Sequence, residues 1–153
     1  WTFAVGDIDE ETRKLLRVTE DALERAIEAA CLGNHVGDIG AAVVSAVEGT
    51  GLGIVRELVG HGVGRDVHEE PQVPNVGRAG HGPLLQEGLV LAIEPMLSTG
   101  TDAVRTLEDD WTVVTADGSK SAHFEHTVAI TAAGPRILTL APVPTGGVGP
   151  FPA

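Results

Sequence analysis

The chain has 153 residues, of which 42% are hydrophobic, so it can form one globular domain with its own core and is too short for two independent domains. Its formal net charge of −12, from 22 acidic and 10 basic side chains, repels phosphate backbones and anionic lipids, which excludes nucleic acid and membrane surfaces as expected partners. No apolar run approaches the roughly 20 residues that span a bilayer, and the one cysteine cannot form an internal disulfide, which favours a reduced, cytoplasmic setting.

The N-terminal third is predicted to be helical after a short first strand. The opening "WTFAVG" is typical of a strand already under way, and the missing methionine leads us to expect a processed chain or a fragment. Between Asp9 and Ala30, apolar residues recur at i, i+3 and i+4, which predicts an amphipathic helix that ends at "LGN". Residues 36–51 predict a shorter, mostly buried second helix, and Cys31 fits a buried structural thiol.

After residue 51 the pattern changes to short runs of Val, Ile, Thr and Leu separated by Gly, Pro, Asp and Ser. Five strands are predicted, mostly antiparallel, with a hairpin signal at "ADGS". Helices followed by strands indicate an α+β domain over residues 1–140. The uncharged, Pro/Gly-rich residues 141–153 are predicted to be a disordered tail.

The stretch "GHGVGRDVHEEPQVPN", residues 60–75, has almost no hydrophobic periodicity. The glycines on both sides of His61 allow close backbone approaches, which suits a loop that presents a side chain to a crowded site. The spacing is not that of a dinucleotide fingerprint, and no phosphate-loop lysine is present. Taken alone, the stretch fits an ordinary turn equally well.

Two strand glutamates carry more information. In "GLVLAIEPM", Val90, Ala92 and Glu94 face away from Leu89, Leu91 and Ile93, and in "SAHFEHTVAIT" Glu125 shares a face with His123, Thr127 and Ala129. A carboxylate in an apolar strand needs compensation, unless the strand has already reached solvent. Two such glutamates with nearby histidines predict ligands for Mn, Fe, Co or Zn.

These three stretches resemble, in order and spacing, the C-terminal motifs of type I methionine aminopeptidases, which have the pita-bread fold; the similarity runs from about Phe3 to Leu140. The resemblance implies a centre of two divalent ions (Co, Mn, Fe or Zn) with His61, Glu94 and Glu125 as ligands. It also implies that His68 contacts the substrate and stabilises the tetrahedral intermediate, that Glu94 transfers protons, and that Trp111 lines the methionine pocket. The implied reaction is hydrolysis of the first peptide bond when methionine precedes a small residue.

The family has two further aspartate ligands in its N-terminal half, and the similarity begins just past the second of them. Asp7 and Asp9 do not match that motif. We therefore expect the 153 residues to hold three of five ligands, which favours an inactive chain unless an upstream segment supplies the rest.

Two other functions remain open. A proline-specific aminopeptidase or prolidase shares the fold and the ligand set, although "HEEPQVPN" and "IEPM" favour the methionine enzyme. A non-catalytic binding module of this fold is the rival from another class, and the intact His61, His68, Glu94 and Glu125 argue against it. The expected partners are peptides and nascent chains with N-terminal methionine, with the ribosome nearby, and the expected state is a monomer.

Overall fold

The computed structural model describes residues 1–140, in which two helices precede ten short strands. The helices are α1 (Glu10–Ala29) and α2 (Val36–Val47). The strands are β1 (Gly53–Ile54), β2 (Gly60–Gly62), β3 (Glu69–Val73), β4 (Val90–Ile93), β5 (Met96–Ser98), β6 (Val104–Thr106), β7 (Val113–Thr115), β8 (Ser121–His123), β9 (His126–Thr131) and β10 (Gly134–Ile137). The α+β class predicted from the sequence is therefore confirmed.

The first helix begins at a well-made cap. The Asp9 carboxylate accepts a hydrogen bond from the backbone N–H of Thr12 at 2.7 Å, and Lys120 Nζ donates to its other oxygen at 2.6 Å. The Lys120 hydrogen bond, followed by those from Thr12, holds the pKa of Asp9 well below its usual range. The Asp9 carboxylate is thus engaged in capping α1, which agrees with its exclusion from the expected ligands.

The core lies between the two helices and the largest sheet. Helix α1 buries one apolar stripe against α2, and both helices cover the inner face of the strands. The large side chains with almost no exposure are Leu15, Leu23, Ile39, Leu85, Leu91, Ile93, Leu97, Phe124 and Ile130.

The described strands form three antiparallel sheets. Five strands lie in the order β10-β9-β4-β2-β3, three in the order β1-β5-β8, and β6 pairs with β7. The two larger sheets share a pair of chain segments, because β4 continues into β5 and β8 continues into β9 after two intervening residues each.

The register of this shared pair is unbroken from one sheet to the other. Ile93 lies opposite His126 in the first sheet, and Met96 lies opposite His123 in the second. Each strand advances three residues between these pairs, so Glu94 lies opposite Glu125. A hydrogen bond of 3.4 Å from the Phe124 backbone N–H to the carbonyl oxygen of Pro95 agrees with that register.

Three local predictions are wrong. Residues 1–6 form no strand; Thr2 instead uses its side-chain hydroxyl to bond the backbone N–H and C=O of His123, both at 2.9 Å. The "ADGS" stretch is a turn with Gly118 at φ 75°, but β7 before it pairs with β6 while β8 after it pairs with β5. Cys31 lies beyond the end of α1 and is only partly buried.

The five predicted runs each contain a strand, and two of them divide into two strands at the points where the sheets meet. Strands β2, β3 and β6 were not predicted, since their sequences "GHG", "EEPQV" and "VRT" are too polar or too short to show a pattern. Neither helix of residues 1–140 is long and apolar enough to cross a membrane. The predicted tail, residues 141–153, lies outside the described residues.

Candidate metal centre

His61 lies on β2, which is hydrogen-bonded on both sides. It is opposite Ala92 of β4 and Gln72 of β3. A Cβ at Gly60 would meet the carbonyl oxygen of Ala92, and one at Gly62 would meet the carbonyl oxygen of Glu70. Both neighbours are backbone atoms of paired strands, so the close approach expected around His61 is confirmed.

Gly62→Ala is expected to disturb this strand. Because the new methyl group would press on the Glu70 backbone, β2 and β3 must separate, at a cost of about 1–3 kcal/mol in the free energy of unfolding. Urea denaturation checks the prediction, with Gly118→Ala as a control in which the new methyl group would meet nothing within 4 Å, although Gly118, unlike Gly62, has a positive φ of 75°. A Gly62→Ala variant as stable as the wild type would show that the contact with the Glu70 backbone does not require glycine at position 62.

One face of the central strands carries the polar side chains. The pairings of His61 with Ala92 and of Ala92 with Thr127 place these three residues on the same face. Alternation along the chain adds Glu94, Glu125 and His123 to it, whereas Leu91, Ile93, Val128 and Ile130 point into the core. The predicted facing of both strands is thus confirmed.

Glu94 and Glu125 oppose each other across the two strands. Like charges directly opposite in an antiparallel pair repel, since their Cβ atoms lie only about 5 Å apart. Glu94 is also largely withdrawn from water, with 15% of its side chain exposed, so solvent screens the repulsion poorly. A cation between the two carboxylates would remove this cost.

The Glu94 carboxylate lies between two imidazoles. Its Oε1 is 3.5 Å from His61 Nε2, and its Oε2 is 3.3 Å from His123 Nε2. Ligand atoms of Glu94, His123 and Glu125 all lie within 4.8 Å of one another. The structure therefore brings together all three metal ligands expected from the sequence and adds His123.

A hydrogen bond from the His61 ring to the backbone determines which of its two ring nitrogens carries the proton. Nδ1 lies 2.9 Å from the carbonyl oxygen of Gly62, and because a carbonyl only accepts, Nδ1 carries the proton. In the neutral ring Nε2 then presents a lone pair toward Glu94 Oε1. His61 Nε2 and Glu94 Oε1 are both electron-rich, and a cation between them would stabilise this arrangement. A backbone carbonyl such as that of Gly62 is also a common hydrogen-bond partner of a metal-binding histidine.

The two predicted substrate residues differ in their placement. The His68 ring lies against that of His61, with centroids 4.2 Å apart, although His68 is exposed. Trp111 lies in the turn between β6 and β7, where 86% of it is exposed and its backbone N–H bonds Asp109 at 3.2 Å. His68 is thus beside the expected ligands, while the predicted substrate contact of Trp111 stays a prediction.

His123 was placed on the face of Glu125 from the sequence, but it is not among the ligands that the resemblance implies. Its position two residues before Glu125 was the available signal, because residues i and i+2 of a strand share a face. The gathered donors are carboxylate oxygens and imidazole nitrogens, which suit Mn, Fe, Co or Zn better than the all-oxygen sites of calcium and magnesium. The residues present therefore fit a transition-metal ion.

Comparison with known proteins agrees with this chemistry. Residues 1–132 match metallopeptidase family M24. A methionine aminopeptidase of Clostridium perfringens is 55% identical over 139 residues, which are 91% of this chain and 56% of that protein. The chain spans about half the length of the curated relatives it matches.

Solved structures give the same grouping. The crystal structure of a methionine aminopeptidase from Thermotoga maritima superposes with a TM-score of 0.87 at 49% identity, over 90% of this chain and 55% of that one. A prolidase from Pyrococcus horikoshii superposes less closely, with a TM-score of 0.68 at 24% identity over 90% and 34% of the two chains. At that identity the prolidase shows the shared fold alone.

Proposed function

The chain belongs to metallopeptidase family M24, and we propose that it removes N-terminal methionine from peptides and nascent proteins when the second residue is small. One observation supports this most directly: two opposed glutamates and two imidazoles meet on one face of the sheet. The catalytic domain is proposed to be residues 1–140. The pita-bread fold expected from the sequence is confirmed by the match to methionine aminopeptidase structures.

His61, Glu94 and Glu125 are the proposed ligands of a centre of two divalent ions. When bound, these ions would polarise the scissile carbonyl and lower the pKa of a water molecule. The opposed carboxylates would offset half of the charge of two divalent cations, and the rest is left to the two aspartates that the resemblance places upstream. His61 would supply a nitrogen donor oriented by Gly62. Co, Mn, Fe and Zn are the proposed candidates.

The remaining chemistry is assigned to Glu94 and His68. Glu94 lies beside both imidazoles and is mostly shielded from water, which supports the proposal that its carboxylate passes a proton to the leaving amine. His68, whose ring lies tilted against that of His61, would donate a hydrogen bond to the oxyanion that develops on the substrate. A neutral imidazole suits that role because it adds no positive charge next to the cations.

An apolar cavity of about 350 Å³ adjoins His123. Its lining includes Val55, Leu58, Met96 and Val113. We propose that it receives the unbranched apolar side chain of the first residue, because apolar walls beside a polar reaction centre favour such a group. Trp111 is two residues from Val113 and is proposed to cover the entrance.

The prolidase alternative is less supported. Methionine aminopeptidases match at 55% and 49% identity, whereas the prolidase structure matches at 24%. Nascent chains near the ribosome, a cytoplasmic setting and a monomeric state remain part of the proposal.

The test is a peptide panel in Mn²⁺ or Co²⁺ with two proteins: the purified 153-residue chain, and the same chain joined to the N-terminal half of the Clostridium perfringens relative, where the resemblance places the two further aspartate ligands. We expect the joined protein to release methionine from Met-Ala-Ser, the 153 residues alone to release little, and neither to cleave Ala-Pro-Ser or Nα-acetylated Met-Ala-Ser, measured by mass spectrometry. The acetylated peptide is the control for an exopeptidase, which needs a free amine. Preference for Ala-Pro-Ser would favour the prolidase function, and bound metal without cleavage of any peptide would favour a non-catalytic binding module.

A further inference from the structure

We propose that His123 is itself a metal ligand, so that residues 1–140 hold a four-membered set of two imidazoles and two carboxylates. The other three members are His61, Glu94 and Glu125. This inference rests on the proposed metal centre and adds a residue that the resemblance does not assign.

The distances around Glu94 are those between neighbouring metal ligands. The carboxylate oxygens lie 3.5 Å from His61 Nε2 and 3.3 Å from His123 Nε2. Charge-assisted N–H···O hydrogen bonds are shorter, about 2.7–2.9 Å. Two ligand atoms that each lie about 2.1 Å from a tetrahedral ion are about 3.4 Å apart. The two imidazoles are therefore spaced from Glu94 as ligands of shared ions would be.

His123 Nε2 forms no hydrogen bond in the described part of the chain. The atom is buried and has no hydrogen-bond partner there, although 40% of the whole side chain is exposed. Its Nε2 lies 3.3 Å from Glu94 Oε2, but this contact does not have the geometry of a hydrogen bond. A buried imidazole nitrogen without a partner costs free energy, and metal coordination would satisfy it.

The backbone holds His123 firmly in this place. Its N–H and C=O both bond the Thr2 hydroxyl at 2.9 Å, and its strand pairs with β5 at Met96. Ligands that are already positioned lose little conformational freedom on binding. His123 thus behaves as a prepared donor and not as a surface side chain that reaches the ion by chance.

The first measurement is NMR of the histidine ring nitrogens in the ¹⁵N-labelled chain during titration with Zn²⁺. We expect the Nε2 resonances of His61 and His123 to shift together, because coordination acts directly on that atom. His126 is the internal control: it is close in sequence but on the opposite strand face, with Nδ1 2.9 Å from the Thr139 hydroxyl.

The outcomes separate this inference from the proposed function. A shift of His61 without His123 would overturn the ligand role of His123 and leave the metal centre standing. A titration that moves neither ring would overturn both the ligand role of His123 and a metal centre held by these residues alone, whereas the proposed peptidase function is decided separately by the peptide panel.

His123→Gln provides an independent test. The amide side chain can still hydrogen-bond near the former Nε2 but is a poor ligand for zinc, so calorimetry should show at least a tenfold weaker Zn²⁺ affinity. His81→Gln is the matched control on an exposed loop, and circular dichroism verifies folding of both. Wild-type affinity in folded His123→Gln would contradict the inference.

Discussion

Glu94→Gln is expected to lower the affinity of the chain for Mn²⁺, Co²⁺ or Zn²⁺ by more than about 100-fold, since loss of an outer-shell partner alone costs 10–100-fold. Glu94 contributes more than a partner, because its two oxygens face His61 and His123 at 3.5 and 3.3 Å. An amide in that position is neutral and directs an N–H₂ group at one of the imidazoles. Calorimetric titration of the purified chain measures the change.

The same substitution should stabilise the metal-free chain. Removing one charge from the opposed pair with Glu125 relieves repulsion of about 0.2–1 kcal/mol in the free energy of unfolding. Glu87→Gln, at an exposed position, removes one negative charge elsewhere and should change neither quantity. Equal metal affinity in Glu94→Gln and Glu87→Gln would contradict the ligand role of Glu94.

Phe124→Ala is expected to cost about 3–5 kcal/mol in the free energy of unfolding. Phe124 has no exposed surface and packs edge-on against Trp1, with ring centroids 5.0 Å apart. It lies directly before Glu125, at the point where β8 continues into β9. The cavity left by alanine would therefore loosen both the core and the strand segment that carries the proposed ligands His123 and Glu125.

Urea denaturation in EDTA measures this loss without a contribution from bound metal. Leu138→Ala, at a half-exposed position, is the control and should cost under 1 kcal/mol. A loss in Phe124→Ala no larger than that of the control would show that the phenyl ring is not a core contact. Metal titration of the variant then reports how far the packing supports the ligands.

Much of this architecture was predictable because its signals are local. Helix α1 follows from apolar spacing, and the facing of Glu94 and Glu125 follows from strand alternation next to buried Leu91 and Val128. Each of these needs only a window of about ten residues. The class of the fold and the carboxylate part of the site therefore came from the sequence.

The pairing of distant segments was not predictable in the same way. "ADGS" has the composition of a hairpin turn, yet the strands on its two sides enter different sheets. Residues 1–6 look like a strand, but Thr2 satisfies the His123 backbone through its side chain. The approach of His123 to Glu94 depends on a cross-strand register, and no single stretch contains that information.

That register limits how the chain can change in length. Two residues separate β4 from β5, and two separate β8 from β9. An inserted or deleted residue in one segment alone would force a bulge or shift one sheet by a position, turning Glu94 or Glu125 toward the core. A change in the length of one segment would therefore be tolerated only together with a matching change in the other. During evolution this site can accept substitutions, but not the insertion or deletion of a single residue.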